Sequence, residues 1–107
     1  MDILDELNRI LGERQNASPE TSYVASLYAA GLNRILEKVG EEATEVVIAA
    51  KDAGSDGSKD ELVKEVADLW FHTLVLLKHL DLDHGAVLDV LSRRLGTSGH
   101  EEKRSRR

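Results

Sequence analysis

The chain contains no cysteine, so it can form no disulfide, hold no thiolate-bound metal and use no cysteine nucleophile. Its single proline, Pro19, leaves nearly all of the 107 residues free to be helical. Aromatic residues are only 4% of the chain, so the core must be built from aliphatic side chains. The four histidines include no H-x-x-x-H pair, which argues against zinc. Basic residues are outnumbered, 14 against 20 acidic, and the net charge of −6 disfavours nucleic-acid binding. No apolar run reaches the length of a membrane span, and the first residues, MDILDELNRI, carry acids where a signal peptide needs bases. The expectation is a soluble, cytoplasmic protein that does not bind membranes.

What is present is helical periodicity. From Leu32 to Lys51, the residues Leu32, Ile35, Leu36, Val39, Ala43, Val46, Val47 and Ala50 recur at three- and four-residue steps. At about 100° per residue, Glu42 and Glu45 fall on one flank of that stripe, with Lys38 between them and Glu41 farther toward solvent. From Leu62 to Leu80 a second stripe is expected through Leu62, Val66, Leu69, Trp70, Thr73, Leu74, Leu77 and Leu80, edged by Glu61, Glu65, Asp68 and His72. If the two helices pack antiparallel with these edges adjacent, four carboxylates converge beside an apolar wall. Such a group needs either protonation or a compensating cation. All-oxygen ligands favour a hard divalent ion, Mg²⁺ or Mn²⁺. The plainer alternative is that these acids are ordinary solvated helix edges, since E-x-x-E or E-x-x-D alone is a weak motif.

In chain order, residues 2–14 form a first helix capped by Asp2, and the segment around Pro19 is a loop. Ser22 caps a short helix, YVASLYAA, ended by Gly31. The cluster DAGSDG at residues 52–57 is a turn, after which Ser58 and Glu61 have capping-box spacing. The short connection makes the two long helices antiparallel neighbours. Asp83 caps a last helix that stops at Gly96, and Leu82 with Val87 has the spacing of a hydrophobic staple. No stretch reads as a strand. The fold expected is all-α, an antiparallel bundle of four to five helices over residues 1–98, with a basic, mobile tail at 99–107. Trp70 to Leu77 is apolar nearly all round. A domain this small completes its core by dimerising, so a homodimer is expected whose contact includes Phe71 and Val75.

The segments KVGEEATEVVIAAK and ELVKEVADLWFHTLVLL, together with Ser22-Tyr23 and the terminal RRLGTSGHEEK, resemble the phosphoribosyl-ATP pyrophosphatase family of the MazG-like all-α nucleotide pyrophosphatases over roughly residues 3–104. The resemblance implies Mg²⁺-dependent cleavage of phosphoribosyl-ATP to phosphoribosyl-AMP and pyrophosphate, the second step of histidine biosynthesis. Carried over by position, it implies Glu42, Glu45, Glu65 and Asp68 as metal ligands, with Mn²⁺ as a substitute ion, and Glu41 as the group that orients or deprotonates water. A substrate with several phosphates also needs cations. Lys38, Arg94 and Lys103 are the candidates, with His72 as a further phosphate contact. Their plain alternatives are an ion pair with Glu42 or Glu45 for Lys38, a solvated charge run for the tail, and a packing role for His72. A separate cyclohydrolase is the further candidate partner, through transient contact.

Two other readings stay open at this stage. One is a relative with the same metal site that acts on other nucleoside triphosphates; the other is a helical dimerisation module whose acids are merely solvated.

Overall fold

The computed structural model describes residues 2–55 and 57–95, and within them the protein is five helices with no strand. They are α1 (Ile3–Arg14), α2 (Tyr23–Ala30), α3 (Leu32–Gly54), α4 (Lys59–His79) and α5 (His84–Arg94). No helix is long and apolar enough to cross a membrane. The expected tail and the stop at Gly96 lie outside the described residues.

The caps follow the short polar side chains. Asp2 accepts from the Asp5 amide, Ser22 from Ala25, Ser58 from Asp60 and Asp83 from Gly85, each satisfying an orphan N–H of a first turn. Gly31 stands at a corner with φ +95°, ending α2 while its carbonyl starts α3 through the Ile35 amide. The expected turn at residues 52–57 begins late: α3 runs on through Asp52, Ala53 and Gly54 before the chain reverses. A second tie joins the ends of the bundle, where His84 Nε2 lies 2.9 Å from the Asp5 carboxylate and holds α5 against α1.

The helices α3 and α4 make an antiparallel hairpin, and α1 and α2 cover only one half of it. The core lies in that half: Leu11, Leu27, Ile35, Leu74 and Val75 are buried together, with Leu4, Leu7, Val24, Tyr28, Phe71, Leu76 and Leu77 packed around them. The half nearest the turn is two helices with little over them, and Val47, Ile48 and Val63 are exposed there. The Tyr28 hydroxyl is buried with no hydrogen-bond partner among the described residues, and burial pushes its pKa up to about 12.

The phase of α4 corrects the expected stripe. Val75 is 0% exposed and Phe71 packs on the same core, so the expected contact with a second copy through Val75 is not available, while Trp70 is 60% exposed and Leu80 also lies outside. A helix that is apolar nearly all round gives no sequence signal for which face its own domain covers. Trp70 instead lines an apolar groove of about 370 Å³ with Leu74, Leu77, Val87, Leu88 and Leu91, between α4 and α5. In α3 the inner face is narrower than the expected stripe. Ile35 and Ala49 are buried and Val39 and Val46 half-buried, whereas Leu36, Ala43, Val47 and Ala50 face outward.

Candidate functional site

The inner face of α3 carries one acid among its apolar residues, Glu42, one turn before Val46. On α4, Glu65 and Asp68 are three residues apart and so share an edge of the helix. The hairpin brings these three together. Glu42, Glu65 and Asp68 are all half-buried, and each offers a carboxylate oxygen within 4.8 Å of the others.

Glu45 is not in this group of three. It is exposed at the rim, yet close enough for its charge to act on Glu65. Glu41 is also exposed and pairs with Lys38, whose ammonium lies 3.3 Å from Glu41 and 3.6 Å from Glu42. Lys38 is only 18% exposed on its side chain, and Glu42 13%. Burial works to lower the lysine pKa, but the hydrogen bond to Glu41 and the carboxylate charges of Glu41 and Glu42 hold it above the ordinary value. The site therefore has an acidic centre with one cation fixed at its edge.

The Glu65 carboxyl titrates above the ordinary glutamate range. Loss of hydration is the main cause, followed by a hydrogen bond with Glu61 and the charges of Glu61, Asp68 and Glu45. Crowding of this kind fits a bound cation: the donors are all carboxylate oxygens, which suit a hard ion such as Mg²⁺ and no soft one. It also sets a pH dependence. With the folded-state pKa raised, the folded protein binds more protons than the unfolded chain, and stability falls as pH rises from about 4.5 through the Glu65 pKa. In metal-free buffer thermal unfolding will show this loss, and it will shrink in Glu65→Gln or on adding Mg²⁺. A profile unchanged in Glu65→Gln would show that Glu65 is not its source.

His72 is 6% exposed, and both its ring nitrogens are engaged. Nδ1 lies 2.8 Å from the Asp68 carbonyl oxygen and Nε2 2.9 Å from the Tyr23 hydroxyl. No ring nitrogen is left for a phosphate, so the direct contact expected of His72 gives way to a role within the chain. Arg94 stands in the last turn of α5, and Lys103 lies outside the described residues. Two neighbours of the site were not singled out for it by sequence. Glu61 is one turn from Glu65 and readable as part of the same edge. Tyr23, 49 residues from His72, carries no periodic signal that links it to α4.

A second group of possible oxygen and nitrogen ligands, Asp2, Asp5 and His84, is spent on capping α1 and tying α5 to it.

The family model described as phosphoribosyl-ATP pyrophosphohydrolase matches residues 4–95. A curated relative from Hydrogenovibrio crunogenus, named phosphoribosyl-ATP pyrophosphatase, is 60% identical over 105 residues, which is 98% of this chain and 93% of the relative. The match spans all five helices, including both acidic motifs, and the chain belongs to the phosphoribosyl-ATP pyrophosphohydrolase family, a family of hydrolases.

Proposed function

We propose that this protein hydrolyses phosphoribosyl-ATP to phosphoribosyl-AMP and pyrophosphate in a Mg²⁺-dependent reaction, as the second step of histidine biosynthesis. The observation that carries the reading is the convergence of Glu42, Glu65 and Asp68 within 4.8 Å in a chain of this family. These three residues would hold the metal, with Glu45 at the rim completing the set. Mg²⁺ bound there supplies charge neutralisation to phosphate oxygens and a Lewis acid for the anhydride. Water adds across the bond between the α and β phosphates and gives up one proton. Glu41 would orient that water or accept the proton, a contribution of about 10² to 10⁴-fold for a positioned base. Lys38 meets phosphate charge that the carboxylates would otherwise repel.

The test is pyrophosphate release from phosphoribosyl-ATP, dUTP and ATP, each with Mg²⁺, with Mn²⁺ and with chelator. Metal-dependent release from phosphoribosyl-ATP far above the others is expected. Preference for another triphosphate would keep the metal site and move the substrate.

A homodimer belongs to the same reading. The turn half of the hairpin exposes Val47, Ile48 and Val63, and Trp70 is uncovered farther along α4, apolar surface that a second copy would cover. Sedimentation at micromolar concentration should give twice the chain mass; a monomer there would remove the claim.

A further inference from the structure

A purine with a sugar at each end, as in phosphoribosyl-ATP, offers its flat faces to a protein more freely than its edges. A face is best held by an aromatic side chain that lies open to solvent close to where the phosphates bind. The chain has four aromatic residues, Tyr23, Tyr28, Trp70 and Phe71. Three of them are placed elsewhere. Phe71 packs on the core, and so does Tyr28, which is stacked on His79 with ring centroids 5.9 Å apart. Trp70 is exposed, but it follows Asp68 by two residues and so lies about 200° round α4 from it, in the groove shared with α5.

Tyr23 remains. It opens α2 directly after the Ser22 cap and is 52% exposed. Its hydroxyl is hydrogen-bonded to His72 Nε2 at 2.9 Å, and Nδ1 of the same ring donates to the Asp68 backbone carbonyl at 2.8 Å. Two hydrogen bonds and one imidazole ring are therefore all that separate the phenol from a residue of the acidic cluster. The two rings stand nearly perpendicular, at 82°, with centroids 5.9 Å apart. Since the hydroxyl makes the contact, the phenol is anchored by its edge. A half-exposed ring held in that way has a face to offer.

We propose that Tyr23 is a specificity residue for the purine: with the phosphates at the Glu42, Glu65 and Asp68 cluster, the base stacks on the exposed face of the phenol ring. His72 is the buried strut that holds the ring at that angle. The inference rests on the function proposed above, and it adds the base to a site so far built only for the phosphates.

The test uses the full chain with Mg²⁺, phosphoribosyl-ATP as substrate, and two competitors that differ by the nucleoside, ATP and inorganic tripolyphosphate. In Tyr23→Leu, KM should rise about tenfold, within the range for losing one base-stacking partner, while kcat stays within about threefold. ATP should weaken as a competitor by a similar factor and tripolyphosphate should not, a split that a merely structural role would not produce. Tyr23→Phe keeps the ring and should hold KM within about threefold of wild type. Wild-type protein gives a readout that depends on no variant being active. Of its two tyrosines, the one whose NMR signals vanish in Tyr23→Phe should shift upfield under fully inhibiting ATP and stay in place under fully inhibiting tripolyphosphate. The inference is overturned, while the site reading stands, if KM in Tyr23→Leu stays within about twofold of wild type or if both competitors weaken alike. Equal losses in Tyr23→Phe and Tyr23→Leu, or Tyr23 signals that ignore ATP, overturn it too. Wild-type protein that releases no pyrophosphate overturns both.

Discussion

Asp68→Asn will lose pyrophosphate release by about 10³-fold or more, the several kcal/mol of charge stabilisation that a correctly held metal provides. The substitution is nearly isosteric. It leaves the backbone carbonyl of residue 68, which receives the His72 Nδ1–H, untouched. The helix and the buried histidine are therefore retained, and the change is confined to one charge in a group of three whose oxygens lie within 4.8 Å. Mn²⁺ affinity should fall with activity. Melting in metal-free buffer should be unchanged or higher, because one of several crowded negative charges has gone. This combination separates a metal ligand from a structural ion-pair partner. A variant that melts early and still turns over would assign Asp68 to the fold. Full activity in Asp68→Asn would favour the reading of the acids as solvated edges of an interaction module.

Ile35→Ala should destabilise the fold by about 2–5 kcal/mol, the range for removing a large aliphatic side chain from a closed core. Ile35 is fully buried in α3 in one cluster with Leu11, Leu27, Leu74 and Val75, residues from three other helices, so the cavity opens where α1, α2, α3 and α4 meet. Denaturant titration at fixed protein concentration measures it. Val47→Ala is the control, because Val47 lies on the exposed face of the same helix. In the monomer it should cost less than about 0.5 kcal/mol. A larger cost that depends on protein concentration would place Val47 in a contact between copies. If Ile35→Ala cost no more than Val47→Ala, the core would be wrongly located.

The sequence made the five helices legible because caps and turns are local. Asp2, Ser22, Ser58 and Asp83 each announce a start within a few residues, and Gly31 announces a corner. The acidic pairs were legible for the same reason, as spacing along one helix fixes which acids share an edge. Facing was harder. Glu42 reads as a flank residue but lies on the inner seam, and Val75 reads as surface for a partner but is core, because α4 is apolar on several sides and only packing decides among them. Glu45 shows the limit within the motif itself. It shares an edge with Glu42, yet one turn farther along places it outside the close group. The Tyr23 to His72 bond lay beyond any local rule, since it joins residues from helices with α3 between them in sequence.

The corner at Gly31 constrains how the chain can vary in length. It is the only residue between α2 and α3, ending one and starting the other. One extra residue there would change the direction and register in which α3 leaves α2 and move Ile35 out of the core. The stretch from Gln15 to Ser22 and the reversal around residues 55–58 have room to absorb insertions. Insertions and deletions among relatives should therefore collect at those two connections, and the helical corner should keep its count of one.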